Sequence, residues 1–167
     1  MSAISRIFTQ IALLLALASV SLELAAKEIT GRVVAISDGD TLTVLHASKT
    51  QHKIRLAGID APEKAQPFGT RSRQALSGYV FSKDVTVTVV DIDRYKRVVG
   101  IVLLAGTDIN QQLVAEGHAW VYRQFMKKLP PGKADAYIQA ENQAKANQTG
   151  LWADKNPVPP WEWRRKK

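Results

Sequence analysis

The sequence predicts an α+β fold, mainly β: a small closed barrel of five short strands with about three α-helices packed on it. Three observations predict it. Val85-Thr86-Val87-Thr88-Val89 alternates strictly, the period-two pattern of a half-buried strand. After Arg97, the chain to Leu104 is a continuous apolar run, as expected of a strand covered on both faces. Between and after such strand signals lie helix-forming stretches.

The elements follow in order. Glu28 to Ser37 reads as a strand that ends at the Asp38-Gly39 turn. Thr41 to His46 sets Leu42 and Val44 against Thr41 and Thr43, again period two. His52 to Ala57 is a third strand; Ile54 and Leu56 share one face, so Arg55 points to the other. Thr70 is placed to cap a helix running to about Phe81, with Ala75, Leu76, Tyr79 and Val80 as its apolar stripe. The Val85 and Arg97 strands come next. Asp108 caps a second, short helix that Gly117 stops. Lys133 to Asn147 forms the third helix, with Gly150 just beyond, and Pro130-Pro131-Gly132 separates it from Trp120-Val121-Tyr122.

Residues 27–155 are read as one globular domain; 167 residues suffice for a real core, and no internal repeat is present. Residues 156–167 form a proline- and tryptophan-rich basic tail, whose prolines exclude a helix until Trp161. Trp161 and Trp163 are expected to strap onto the barrel. Arg164, Arg165, Lys166 and Lys167 are expected to hold phosphates.

Lys and Arg outnumber Asp and Glu 23 to 15, a net charge of +8. Such a balance favours polyanionic partners, nucleic acid or an anionic membrane surface. Cysteine is absent, which excludes disulfides, thiolate nucleophiles and Cys-ligated zinc. His46, His52 and His118 lack ligand spacing and are not needed for the chemistry below.

The first 26 residues read as a signal peptide. Arg6 precedes the apolar stretch Ile7 to Val20, with no charge until Glu23; the run is short for a membrane span. Cleavage is expected near Ala26 or Ser21, and the product is expected outside the cytoplasm, periplasmic or secreted, without stable membrane insertion.

Four stretches carry the chemistry: Asp38-Gly39-Asp40-Thr41, Arg55 through Glu63, Asp93-Arg94-Tyr95-Lys96-Arg97, and Gly117-His118-Ala119-Trp120. Asp40, Asp60 and Glu63 offer hard oxygen donors and a base. Arg55 and Arg97 offer two permanent cations whose planar forks suit phosphate oxygens. Singly, each feature reads as a turn or a surface ion pair: Asp38 is first a turn former, and Asp60-Ala61-Pro62 alone is a turn. Together they supply what phosphodiester cleavage needs, preorganised positive charge and an activated water.

In order, spacing and residue type these stretches resemble the staphylococcal nuclease (thermonuclease) family, from about Ile29 to Trp152. The resemblance implies an OB-fold barrel and a Ca²⁺-dependent endonuclease acting on DNA and RNA, leaving 3′-phosphate and 5′-hydroxyl ends. It implies Asp40, Asp60 and the backbone carbonyl of Ala61 as metal ligands, Glu63 as general base, and Arg55 and Arg97 as phosphate clamps. Arg94 and Tyr95 resemble positions that contact a neighbouring phosphate, and Tyr122 an aromatic that stacks a base. A monomer is expected. Two departures stand out. Lys96 stands where a glycine usually precedes the arginine, and the Glu63–Gly69 loop is shorter than in the staphylococcal enzyme. The competing readings are a non-catalytic OB-type module that binds single strands, and a basic protein of membrane surfaces.

Overall fold

Residues 27–166 are described by a computed structural model; the expected signal segment, residues 1–26, lies outside them. The barrel is built from β1 (Glu28–Asp38), β2 (Thr41–Leu45), β3 (Gln51–Leu56), β5 (Asp84–Ile92) and β6 (Val98–Leu104). Hydrogen-bonded neighbours run β3-β2-β1-β5-β6, and a parallel β3–β6 pairing, Ile54 opposite Val98 through Leu56 opposite Gly100, closes the ring. Closure leaves these strands without an open edge. This is the five-stranded α+β barrel of OB type that the strand order suggests and the family resemblance implies; alternation alone predicts no more than α+β.

β1 belongs to both sides of the ring. Glu28–Arg32 pairs with β5 and Arg32–Asp38 with β2, with register irregularities after Val33 and Ile36. Gly31 sits at that bend, where an added Cβ would lie 2.3 Å from the Leu45 carbonyl oxygen. Only glycine lets the two backbones approach so closely. Inside the ring Val33, Leu42, Val44, Ile54, Val87 and Val102 are fully buried. At the middle of β6, Gly100, Ile101 and Val102 are buried in succession, as a strand covered on both faces requires.

The helices are α1 (Gly69–Val80), α2 (Ile109–Ala115), α3 (Lys133–Ala146) and the single turn α4 (Pro160–Trp163). Asp108 caps α2 as expected, its Oδ1 accepting the Gln111 N–H at 3.0 Å. Thr70 does not cap α1. Phe68 occupies that position in the left-handed region (φ 68°) without a side-chain cap, so Thr70 lies inside the first turn. In the tail the helix begins at Pro160, one residue before Trp161, because proline is pre-set for the first helical position.

Two further elements matter for the site. Short strands β4 (Ile59–Asp60) and β8 (Trp120–Val121) pair antiparallel, Asp60 opposite Trp120, while β7 (Thr107–Asp108) between them in sequence only extends the β6 edge. Glu141 of α3 pins them: fully buried, it accepts the Val121 N–H at 2.9 Å and pairs with Arg123 and Lys145 at 2.8 and 2.9 Å. Burial pushes this carboxyl up, but the two cations and the amide outweigh it and hold it below its ordinary 4.5. A depressed acid stabilises the fold above that ordinary value, and the contribution disappears as pH falls through the folded-state value.

Glu141→Leu leaves the buried Val121 amide without its acceptor, while Arg123 and Lys145 turn to water, and should destabilise the protein by about 1–3 kcal/mol. Urea unfolding at neutral pH measures this. The same variant should lose part of the wild-type decline in stability below pH 4.5. An unchanged midpoint and an unchanged acid limb would show that Glu141 does not hold β8.

Candidate active site

One cleft of about 830 Å³ opens beside the β2–β3 end of the barrel, lined among others by Asp40, Arg55, Asp60, Glu63, Arg97 and Arg164. Strand pairing explains the convergence. Thr41 lies opposite Arg55 in the β2–β3 ladder, so Asp40, one residue earlier, is brought beside it. The chain then leaves β3 through Gly58 (φ 71°) and places Asp60 in β4. Ile54 and Leu56 are buried in the core, and Arg55 faces the cleft between them, as alternation requires.

The centre is a guanidinium held between two carboxylates. Arg55 Nη1 is 2.7 Å from Asp40 Oδ2, and Nη2 donates to Asp60 Oδ1 at 2.7 Å. Asp40 and Asp60 are only 5% and 1% exposed. The Nη1–Asp40 contact is an ion pair rather than an aligned hydrogen bond, and among the described residues Nη1, buried, has no partner of hydrogen-bond geometry. Arg55 therefore retains unspent donor capacity at the cleft floor. Asp40 is further fixed by the Ala61 N–H at 2.6 Å and the Thr41 hydroxyl at 3.1 Å. Burial pushes its carboxyl up to about 7; Arg55 opposes the shift, and Asp38 and Asp60 reinforce it. Asp38 itself accepts the Asp40 N–H at 3.1 Å, the turn-forming role its position predicts.

These groups suit a hard divalent cation. Two buried carboxylates face one cation already, Ala61 contacts one of them through its backbone, and no sulfur or imidazole intervenes. Among the described residues no three acidic or histidine side chains form a cage by themselves. Any such ion therefore relies on backbone, water or substrate oxygens to complete its shell.

Arg97 lies across the cleft, fixed by a device that sequence reading missed. Asp93 accepts Arg97 Nε at 2.7 Å through Oδ2, and the N–H groups of Tyr95 and Arg97 at 2.9 Å through Oδ1. Burial pushes Asp93 up, but these donors outweigh it and its carboxyl stays below the usual range. One side chain thus closes the Asp93–Arg97 turn and orients the guanidinium. Lys96 adopts φ 62° in that turn, a left-handed conformation that favours glycine. Arg94 donates to the Tyr95 hydroxyl at 2.8 Å and lies 4.8 Å over its ring, on the exposed rim.

Glu63 sits at the mouth, its amide donating to the buried side chain of Gln66 at 3.1 Å. Tyr122 lines the cleft, but Trp161 from the tail stacks on its ring, with centroids 5.3 Å apart and planes at 2°. Phe125, which sequence reading passed over, packs edge-on against Tyr122 at 4.7 Å and also lines the cleft. The tail reaches further than expected. Arg164 donates to Glu63 at 2.7 Å and to Asp60 Oδ2 at 2.8 Å. Its position in sequence, remote from every catalytic stretch, gave no sign of this contact. The three histidines are not among the cleft residues.

Comparison with known proteins gives a family. Residues 53–154 match the family described as staphylococcal nuclease homologue. The chain is 45% identical over 136 residues to an "Uncharacterized endonuclease" of Haemophilus influenzae, covering 81% of this chain and 73% of that protein. It is 43% identical over 144 residues to a "Micrococcal nuclease" of Shigella flexneri, covering 81% and 80%.

Arg55 and Arg97 should separate by stability. In chelator, Arg55→Ala strands the buried carboxylate of Asp40, leaves Asp60 to Arg164, and should cost about 3 kcal/mol. Arg97→Ala breaks one partly exposed pair and should cost about 1 kcal/mol or less. Parallel urea titrations decide; equal small losses would show that Arg55 does not neutralise the carboxylate pair.

Proposed function

This chain belongs to the staphylococcal nuclease family and is a nuclease, and from that premise we propose that it is a Ca²⁺-dependent endonuclease hydrolysing phosphodiester bonds of DNA and RNA. The observation that carries the reading is the Arg55 guanidinium held between Asp40 and Asp60, with Glu63 and Arg97 lining the same cleft. That constellation combines a cation site, a base and two phosphate-directed forks around one opening.

Asp40, Asp60 and the Ala61 carbonyl are the residues that would hold the ion. When bound, a hard divalent ion neutralises phosphate charge and polarises the scissile group. Arg55 and Arg97 bind the non-bridging phosphate oxygens, where negative charge grows in the transition state. Each arginine stays charged at working pH and is preoriented, Arg55 by the aspartates and Arg97 by Asp93. Glu63 accepts a hydrogen bond from the attacking water and takes its proton as the oxygen closes on phosphorus. Attack that expels the 5′ oxygen, which recovers a proton, yields 3′-phosphate and 5′-hydroxyl ends. Arg94 and Tyr95 hold a neighbouring phosphate at the rim, and Tyr122 with Phe125 provides an aromatic wall for a base.

The net charge of +8 supports a polyanionic substrate. Among the described residues no helix is long and apolar enough to cross a membrane. We take the enzyme to be a monomer acting outside the cytoplasm after removal of residues 1–26. Mass spectrometry of protein recovered from the periplasm or medium should then find a new N-terminus near Ala26 or Ser21; an intact Met1 terminus on cytoplasmic protein would contradict export.

Cleavage of single-stranded DNA, double-stranded DNA and RNA should require Ca²⁺ and stop with chelator. Arg97→Ala should lower the rate by about 10²–10³-fold, the usual effect of losing one preorganised transition-state donor. Glu63→Gln should be comparably severe, and end-labelling should show 3′-phosphates. Full activity in chelator would remove the cation from the mechanism. Nucleic-acid binding without any cleavage would favour the non-catalytic single-strand module.

A further inference from the structure

The C-terminal tail is firmly seated. Gln66, buried, donates to the Val158 carbonyl at 2.7 Å while its own oxygen accepts the Glu63 N–H, so one side chain joins the tail to the base loop. Pro160 is buried, and Trp161 stacks on Tyr122 and meets Trp120 edge-on at 5.7 Å. From that anchor a single turn of backbone directs Arg164 into the cleft. Its Nη2 is 2.8 Å from Asp60 Oδ2, and its Nη1 is 2.7 Å from Glu63 Oε1 and 3.3 Å from Asp60 Oδ1. Arg55 holds the other side of Asp60 Oδ1. Both oxygens of Asp60 are thus engaged by guanidinium groups, and among the described residues Asp60 Oδ2 accepts from Arg164 alone.

We propose that the tail is an internal competitor for the cation site: Arg164 occupies the carboxylates of Asp60 and Glu63 that a divalent ion and the attacking water would use, so ion binding and Arg164 docking oppose each other. The proposal rests on the reading of Asp60 as a cation ligand. A cation that takes Asp60 Oδ2 sets its charge against the guanidinium that, among the described residues, is that oxygen's one donor. Linkage is reciprocal, so whatever stabilises Arg164 in the cleft weakens the ion by the same factor, and the ion expels Arg164 equally. The strength is bounded by exposure. Arg164 keeps 41% of its side-chain surface in water, so its pairs are screened and the competition is graded rather than absolute. The anchors at Gln66, Pro160 and Trp161 do not depend on Arg164, so the strap stays docked when its tip leaves.

The test is calorimetric titration of CaCl₂ into chelator-stripped protein without nucleic acid. The variants are wild type, Arg164→Gln, Arg164→Lys, Lys155→Gln and Asp60→Asn. Arg164→Gln should bind Ca²⁺ about three- to ten-fold more tightly, the range open to a partly exposed charged contact. Arg164→Lys, which keeps the charge but cannot span both carboxylates, should fall between that variant and wild type. Lys155→Gln removes an equal charge from an exposed loop and should match wild type. A chain ending at Trp163 keeps every anchor and stands in for Arg164→Gln if that variant does not fold. An unchanged or weaker affinity in the folded Arg164 variants, with Asp60→Asn still abolishing binding, overturns the competition alone. Wild-type protein that shows no saturable binding, or binding that survives Asp60→Asn, overturns the cation-site reading and this proposal with it.

Discussion

The site depends on one constraint: two carboxylates, Asp40 and Asp60, are removed from water and must be balanced by cations. An isolated buried carboxylate is costly, and a shared guanidinium is the arrangement that tolerates two of them side by side. Arg55 supplies it from the strand between them in sequence. Much of the surrounding architecture serves this arrangement. The β2–β3 register sets Arg55 beside Asp40, the left-handed turn at Gly58 returns the chain to Asp60, and the β4–β8 pair holds it there. Glu141, buried behind β8, repeats the same logic with Arg123 and Lys145 as counter-charges.

Around this rigid floor the other functional groups hang from loops, each with its own fastening. Asp93 holds Arg97, Gln66 holds the Glu63 loop, and Gln66 also holds the tail. The division matches what the groups are proposed to do. The cation site must be dry and fixed. The base and the second phosphate clamp must admit a polymer and release it. Tyr95, 65% exposed beside Arg94, belongs to the open rim where a strand would pass.

The parts legible in sequence were those set by local periodicity or by order. Alternation gave the strands and turned Arg55 away from the core, and the Asp108 cap followed from a short-range hydrogen bond. Thr70 looked like a cap because its residue type suits one, yet Phe68 ends the preceding turn in a left-handed conformation that a type-based rule does not anticipate. β4 and β8 are two residues each, too short to show a period, and only their antiparallel pairing reveals them. Asp93 lies within one of the four chemistry-bearing stretches, but its role appears only when the turn brings both of its oxygens onto backbone and guanidinium donors. Arg164 lies 104 residues from Asp60 and 101 from Glu63, and such a contact leaves no local trace in the chain. Composition marks the basic tail as a surface phosphate binder; its first arginine instead turns inward onto the carboxylates.

The measurement that bears most directly on the central claim is an anomalous-difference map from crystals of the protein grown with Ca²⁺. The account predicts one strong peak in the cleft, within about 2.6 Å of carboxylate oxygens from both Asp40 and Asp60, as calcium coordination requires. A map with no peak at these two residues, or with the ion bound elsewhere while Arg55 still bridges both aspartates, would contradict it.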